Sequence, residues 1–228
     1  MSLNIAVFVP EGITIVSDTL AFLKTNGDDG FPSSAQRTFC IDNRYILSFT
    51  GCNYINGMPY GYYVNSFLST YYSVTIKSTF EFSDLFRKFI NNHIPNNDVP
   101  IYIAGYDKIE NRLEAFLYLI DKGEIIRLNY DDKSAQLLYN YHSIGNSLWI
   151  NKLILPTTYS DEFNKQDEKF QAACIDFSKY SLMAAIDFAH FLLSTTYKMD
   201  SFVQINPTVN SQYTTAIITP WEGAKILS

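Results

Sequence analysis

The sequence predicts an α+β fold, a four-layer αββα sandwich in which two stacked antiparallel sheets are flanked by helices. The main observation is the order of elements along the 228 residues: four strands, two helices, about four strands, two or three helices and two strands. Helices grouped between runs of strands favour two sheets packed face to face, with helices outside them. The sequence also lacks the βαβ alternation and the Gly-rich phosphate loop of Rossmann and P-loop nucleotide enzymes.

The first four strands are read from short apolar runs between turn residues. Gly, Pro, Asp or Asn bounds each run, as at Pro10-Glu11-Gly12, and such residues are typical of strand ends. The predicted strands span residues 3–9, 13–17, 37–41 and 45–49.

Two helices are predicted next, because the apolar residues change to a spacing of three or four. One stripe runs from Val64 to Tyr71 after a start at Pro59, and the other runs from Phe82 to Ile90. We expect the two helices to pack as an αα-hairpin on one sheet face.

Strands return in the middle of the chain. They are predicted at residues 100–105, 112–119, 124–129 and 136–143, the last ending at Gly145. Asp121-Lys122-Gly123 is a tight hairpin turn between two of them.

The end of the chain predicts helices and then a last pair of strands. Asn146 can cap a short helix that Pro156 stops, and a long apolar stripe predicts a helix from Leu182 to about Thr196. The closing strands span residues 213–219 and 224–227. No repeat or Pro/Gly/Ser linker interrupts this order, so residues 1–228 are expected to form a single domain.

Charge and hydropathy argue against several classes of partner. The formal net charge is -6 and the pI is about 5.0, without a Lys/Arg cluster, whereas a nucleic-acid partner requires a basic face. No apolar run approaches the ~20 residues that span a bilayer, and the N-terminus lacks a signal-peptide pattern. We therefore expect a soluble, cytoplasmic protein with no nucleic-acid or membrane partner.

The thiol and imidazole side chains give no indication of a metal or cofactor. The three cysteines and three histidines are widely spaced, at Cys40, Cys52, Cys174, His93, His142 and His190. None forms the close pair of a zinc site, and the cysteines do not suggest a disulfide framework. We expect no cofactor and interpret these residues as structural.

A serine stands directly before the first strand, one residue from the N-terminus. If Met1 is removed, as is usual before a small residue, Ser2 carries a hydroxyl nucleophile and an α-amino base together. The pKa of such an amine is roughly 8, which suits it to take the hydroxyl proton near neutral pH. Many proteins begin Met-Ser without chemical significance, so Ser2 needs support from the rest of the chain.

That support is a resemblance to a known family. After the hydroxyl residue the chain reads apolar strand, Glu11-Gly12, apolar strand, Ser17-Asp18-Thr19, then FCIDNRYIL over residues 39–47 and Thr50-Gly51. The similarity continues through HSIG at 142–145, AAIDFA at 184–189 and AIITP at 216–220. These short motifs, in order over nearly the whole chain, resemble proteasome β-subunits and their bacterial relatives HslV and Anbu.

The resemblance implies an N-terminal nucleophile (Ntn) hydrolase that forms an acyl-enzyme. The family's nucleophilic threonine corresponds to Ser2, its aspartate to Asp18 and its oxyanion-hole glycine to Gly51. The family's lysine falls on Arg37, and its assisting serine falls on Asn146. These residues also have ordinary structural interpretations. Asp18 could be a strand-end residue and Gly51 a turn residue. Arg37 could belong to a structural ion pair, and Asn146 could be a helix cap.

Two further groups of residues are implied by the same resemblance. The family's later aspartate-serine cluster finds an approximate match in Asp200-Ser201. Its specificity pocket falls on Phe49 and residues 52–55, whose apolar and aromatic character predicts a hydrophobic P1 preference.

Among the differences from the family, arginine in place of lysine at position 37 has the largest chemical consequence. A guanidinium keeps its proton at any biological pH, so Arg37 can stabilise charge and lower neighbouring pKa values but cannot shuttle a proton. Proton transfer would then depend on the Ser2 α-amine alone. The alternative is that Arg37 pairs with Asp18 as a structural ion pair in an inactive site.

The sequence therefore leaves two hypotheses. In the first, the chain is a peptidase or amidohydrolase that uses Ser2 after removal of Met1 and acts on a peptide or protein substrate. In the second, it is a catalytically degenerate subunit with a ring-assembly or scaffold role. The resemblance implies a homo-oligomeric ring or lock-washer in both cases, and the sequence does not indicate whether an ATPase is a partner.

Overall fold

A computed structural model describes residues 2–23, 31–51, 54–55, 57–72, 76–94, 99–154, 158–160, 167–169, 175–203 and 209–227. Along these ranges the strands are β1 (Leu3–Val9), β2 (Gly12–Asp18), β3 (Leu20–Leu23), β4 (Phe31–Ser34), β5 (Thr38–Ile41), β6 (Tyr45–Phe49), β7 (Tyr54–Ile55), β8 (Met58–Pro59), β9 (Ile101–Ile109), β10 (Arg112–Asp121), β11 (Glu124–Arg127), β12 (Tyr130–Asp131), β13 (Gln136–Leu137), β14 (Tyr141–Gly145), β15 (Thr158–Ser160), β16 (Asp167–Lys169), β17 (Tyr213–Thr219) and β18 (Gly223–Leu227). The helices are α1 (Tyr60–Thr70), α2 (Thr79–His93), α3 (Leu148–Ile154) and α4 (Leu182–Val203).

Ten of these strands form two five-stranded antiparallel sheets. The first sheet has the order β14-β1-β2-β17-β18, and the second has the order β11-β10-β9-β6-β5. The other strands pair as four two-stranded ribbons. The fold is therefore α+β with two antiparallel sheets, as the sequence predicts.

The register of the first sheet brings distant parts of the chain to one end of β1. Leu3, the first residue of β1, pairs with Gly145 on one side. Asn4 pairs with Ser17 on the other side, because β2 runs back along β1. The residue before β1, the end of β2 and the end of β14 therefore lie together.

The alternation of side chains along β1 gives both faces of the first sheet an apolar surface. Ala6 and Phe8 belong to a buried cluster that contains residues of both sheets. Leu3, Ile5 and Val7 belong to a second cluster that contains residues of α3 and α4. The first sheet is thus buried on both sides, which explains why β1 is apolar almost throughout.

A third cluster joins the second sheet to α1 and α2 and is rich in aromatic rings. Its aromatic members are Tyr45, Phe49, Tyr60, Tyr63, Phe67, Phe82, Phe86, Phe89, Phe116 and Tyr118. This core contains ten of the 36 Phe, Tyr and Trp residues of the sequence.

The sequence prediction fails between residues 136 and 143, where it gives one strand and the structure has two. Leu138 N–H donates to the Asn129 carbonyl, whereas the Asn140 carbonyl accepts from Phe8 N–H. The chain leaves a two-stranded ribbon at this point and enters the first sheet, which the local apolar pattern does not reveal. The last helix is also longer than predicted, since α4 continues to Val203.

None of the helices in the described ranges is both long and apolar enough to cross a membrane.

Candidate active site

Ser2 lies where four segments of the chain meet. Its Oγ accepts a hydrogen bond from Gly51 N–H, with an N···O distance of 2.7 Å. Its carbonyl accepts from Asn146 N–H at 2.8 Å. Ser2 is 1% exposed, so both the hydroxyl and the backbone of this residue are fixed inside the protein.

Gly51 follows β6 and adopts a backbone conformation that favours glycine. Its φ is +86°, in the left-handed region. A Cβ at this position would still meet only ordinary contacts, the nearest being a methyl of Val99 at 3.6 Å. The glycine is therefore required by the backbone conformation that directs its N–H at Ser2, and not by crowding.

Arg37 is buried beside this loop, immediately before β5. Its Nη1 donates to the Gly51 carbonyl at 2.5 Å, and its Nη2 donates to the Leu20 carbonyl. The side chain is 2% exposed. The guanidinium thus connects the loop that carries Gly51 to the chain just after β2.

Asp18 ends β2 and is completely buried. Its Oδ1 accepts a hydrogen bond from Leu3 N–H at 2.9 Å. Burial raises the pKa of this carboxyl from 3.8 to about 6, against the opposing effects of the Arg37 charge and of backbone hydrogen bonds. The Arg37 charge therefore acts on the Asp18 carboxyl.

The raised pKa of Asp18 predicts a particular dependence of stability on pH. Between about pH 4 and 6 the unfolded chain has released this proton while the folded protein keeps it. At about 1.4 kcal/mol per pKa unit, the free energy of unfolding should therefore fall by about 3 kcal/mol as pH rises through this range, and the Asp18 contribution should stay constant at higher pH.

Urea unfolding of the wild type and of Asp18→Asn from pH 4 to 7 measures this effect as the difference between the two proteins. Asp176→Asn is the control, because hydrogen bonds from Ser178 lower the pKa of that exposed carboxyl and its contribution to stability should therefore stay nearly constant above about pH 4. A wild-type minus Asp18→Asn difference that stays constant from pH 4 to 6 would contradict the predicted pKa.

Asn146 follows β14 and makes hydrogen bonds through both its side chain and its backbone N–H. Its side-chain amide donates to Asp200 Oδ2 at 3.0 Å, and Trp149 Nε1 donates to the other oxygen of the same carboxylate, also at 3.0 Å. Gly145, with φ +95°, packs so closely that a Cβ would lie 1.9 Å from the Ser2 carbonyl oxygen. The buried Asp200 on α4 therefore connects, through Asn146, to the backbone of Ser2.

Two implied site features differ from expectation. Ser201 is exposed and its hydroxyl donates to the Lys198 carbonyl, so only Asp200 of the pair reaches the site. Phe49 is 1% exposed and stacks on Tyr60 at 4.3 Å, so its ring belongs to the aromatic core and does not line an open pocket. Of the other implied pocket residues, 52 and 53 lie outside the described residues.

Three residues near Ser2 were not identified from the sequence. Trp149 donates a hydrogen bond to the carboxylate of Asp200, and Tyr60 donates one to the Thr50 carbonyl. Asn4 donates from its buried amide to Ser48 Oγ and to the Phe49 carbonyl, each at 2.8 Å. An Asn inside an otherwise apolar strand was the one available signal, because a buried amide requires hydrogen-bond partners.

The histidines have partners away from Ser2. His142 Nδ1 lies 2.7 Å from the Tyr102 hydroxyl, and His190 Nε2 lies 2.8 Å from the Thr215 hydroxyl. In the part of the chain that the structure describes, no group of three or more His, Cys, Asp or Glu side chains is placed to hold a metal ion.

A cleft of about 440 Å³ lies at the opposite end of β1 from Ser2. Phe8, Tyr106, Arg127 and Tyr139 are among the residues that line it. Ser2 and Phe8 are separated by almost the full length of a seven-residue strand, roughly 20 Å. This cleft therefore does not belong to the Ser2 site.

Comparison with known proteins gives structural matches only. No protein-family model and no curated protein matches the sequence. The ancestral beta-subunit Anbu from Yersinia bercovieri matches with a TM-score of 0.64 at 14% identity, over 99% of this chain and 87% of that chain. Anbu from Hyphomicrobium sp. strain MC1 matches with a TM-score of 0.63 at 12% identity, over 99% of this chain and 87% of that chain.

A Gly-1 mutant of Anbu from the same Hyphomicrobium strain gives a similar match. Its TM-score is 0.63 at 14% identity, over 100% of this chain and 87% of that chain. At these identities the similarity concerns the fold. The chain is therefore similar in fold to Anbu over 99–100% of its length.

Proposed function

We propose that the chain is a proteasome-like peptidase or amidohydrolase that uses Ser2 as its N-terminal nucleophile after removal of Met1. The observation that carries the proposal is the 2.7 Å contact between Gly51 N–H and Ser2 Oγ. It places a backbone donor within hydrogen-bond distance of the one hydroxyl that could be both nucleophile and neighbour of a free amine. The Anbu-like fold supports this assignment.

In the proposed reaction, the Ser2 α-amine takes the hydroxyl proton while Oγ forms a bond to the carbonyl carbon of the substrate. The negative charge that develops on the carbonyl oxygen is stabilised by Gly51 N–H. The ammonium then gives its proton to the leaving nitrogen as the C–N bond breaks, which leaves an ester on Ser2. Water hydrolyses this ester by the same steps and restores the free hydroxyl.

Asp18 and Arg37 have supporting roles in this proposal. The Arg37 guanidinium remains protonated throughout, so its contribution is a fixed positive charge and a fixed loop. Asp18 is ionised above about pH 6 and provides the negative charge that balances Arg37 and the Ser2 ammonium. Asn146 acts through its N–H, which holds the Ser2 carbonyl.

A second candidate function is that of a catalytically degenerate subunit in an assembly. Arg37 favours it, because the resemblance assigns Arg37 to the family's lysine position, and its guanidinium donates to two backbone carbonyls. A homo-oligomeric ring or lock-washer, with each subunit a single domain arranged as an αββα sandwich, is proposed for either function. The three buried clusters support this layering, and the exposed Phe191 and Phe202 on α4 would suit a subunit contact.

The two functions are distinguished by the intact mass of untagged protein, followed by labelling with a peptide β-lactone. We expect the mass to show loss of Met1, and the treated protein to gain one β-lactone that peptide mapping places on Ser2. Retention of Met1, or a free Ser2 that stays unlabelled in folded protein, would favour the scaffold function instead.

A further inference from the structure

The peptide unit between Thr50 and Gly51 is the part of the site on which the proposed chemistry depends most. Its N–H belongs to Gly51 and donates to Ser2 Oγ. Its carbonyl belongs to Thr50 and accepts from the Tyr60 hydroxyl at 2.6 Å. The two hydrogen bonds therefore act on opposite ends of one planar group.

The loop that contains this peptide has a side-chain donor on each of three successive carbonyls. The Phe49 carbonyl accepts from Asn4 Nδ2, the Thr50 carbonyl from Tyr60 and the Gly51 carbonyl from Arg37 Nη1. All three donor side chains are buried, with exposures of 0%, 1% and 2%. Such a series fixes the plane of each peptide in turn.

Gly51 is the reason that the Thr50–Gly51 peptide needs these hydrogen bonds. Gly51 has no Cβ to restrict its backbone, so rotation of the Thr50–Gly51 peptide would cost little if nothing held it. A rotation would turn the N–H away from Ser2. The hydrogen bonds from Tyr60 and Arg37 hold the peptides before and after Gly51, and so keep its φ at +86°.

We propose that Tyr60 is a positioning residue for the oxyanion hole, a role that rests on the proposed function. Its hydroxyl fixes the Thr50–Gly51 peptide and, by withdrawing electron density through the carbonyl, makes Gly51 N–H a stronger donor to the developing oxyanion. Tyr60 does not touch the reacting atoms. It is the first residue of α1, and its ring stacks on Phe49 at 4.3 Å and 14°, so the hydroxyl is rigidly placed.

Tyr60→Phe tests this role, because it removes the hydroxyl and keeps the stacked ring. Tyr45→Phe is a matched control from the same core cluster. Tyr45 is 0% exposed and stacks on Phe82 at 4.3 Å, but its hydroxyl has no hydrogen-bond partner among the described residues. The two variants therefore make the same chemical change with and without the proposed contact.

We expect Tyr60→Phe to lower the rate constant for acylation of Ser2 by a peptide β-lactone about tenfold, and Tyr45→Phe to change it less than twofold. With a peptide substrate, kcat should fall about tenfold while KM stays the same, since the oxyanion forms only in the transition state. A peptide boronate, whose adduct carries a negative charge near this donor, should bind more weakly by a similar factor.

Equal rates for Tyr60→Phe and Tyr45→Phe, in a wild type that is labelled normally, would overturn the role of Tyr60 and leave the proposed function standing. An unlabelled wild type would overturn both. If Tyr60→Phe does not fold, 3-fluorotyrosine placed at position 60 provides the test, because its more acidic hydroxyl is a stronger donor. The acylation rate should then rise about twofold, and an unchanged rate would contradict the proposal.

Discussion

Ser2→Ala is expected to abolish covalent labelling and to reduce hydrolysis at least about 1,000-fold, since the proposed acyl-enzyme forms on the Ser2 hydroxyl. Alanine is small, so Met1 should still be removed and the α-amine should still be free. The variant therefore separates loss of the hydroxyl from loss of processing. Single-turnover assays with a peptide ester, together with intact mass, measure both.

The free energy of unfolding should change little in Ser2→Ala. Gly51 N–H loses its acceptor, which costs about 1 kcal/mol when the group is partly reached by water.

Ser2→Thr should keep measurable activity, because it preserves the hydroxyl. Ser69→Ala is the matched control, as Ser69 is exposed on α1 and its hydroxyl donates only within that helix. An adduct that persists in Ser2→Ala would show that a different residue is the nucleophile.

Arg37→Met is expected to have the second largest effect, about a 100-fold loss of activity together with about 3 kcal/mol of stability. The Gly51 and Leu20 carbonyls lose their donor, and the loop that carries the oxyanion-hole N–H is released. Asp18 also loses the positive charge that lowers its pKa, so that pKa should rise above about 6.

The pH profile distinguishes these two consequences. In Arg37→Met the acidic limb of kcat/KM should move to higher pH, whereas Arg37→Lys should keep the limb near its wild-type position, because it keeps the charge. Arg112→Met is the control, since Arg112 is 79% exposed in its side chain and lies at the opposite end of the molecule. A limb that does not move in Arg37→Met would mean that Asp18 ionisation does not control the rate.

The fold was largely predictable because strand alternation and helix periodicity are strong in this chain. β1, β2 and β6 are apolar runs with clear turn residues at their ends, and α1 and α2 carry regular stripes. The division of residues 136–143 into β13 and β14 was not predictable. It depends on a change of hydrogen-bond partner in three dimensions, which leaves no trace in the order of apolar residues.

That the five assigned residues would lie close together was predictable from the resemblance, whereas their roles remain predictions. Ser2, Asp18, Arg37, Gly51 and Asn146 do lie together around the start of β1. Tyr60 and Trp149 were not predicted, because buried aromatic residues are usually core residues, and a hydroxyl or indole N–H that reaches one carbonyl or carboxylate cannot be read from spacing. Phe49 was assigned by the resemblance to a pocket beside β6, but packing against Tyr60 places it in the core.

The hydrogen bonds around Ser2 join residues that are far apart in the chain, with separations of 15, 49 and 54 positions for three of them. Asn146, which holds the Ser2 carbonyl, comes from the second half of the sequence. A chain emerging from the ribosome therefore carries its serine long before it carries the groups that hold Ser2 in place in the folded protein. If Ser2 is the nucleophile, its reaction with an acylating probe should accordingly report completed folding.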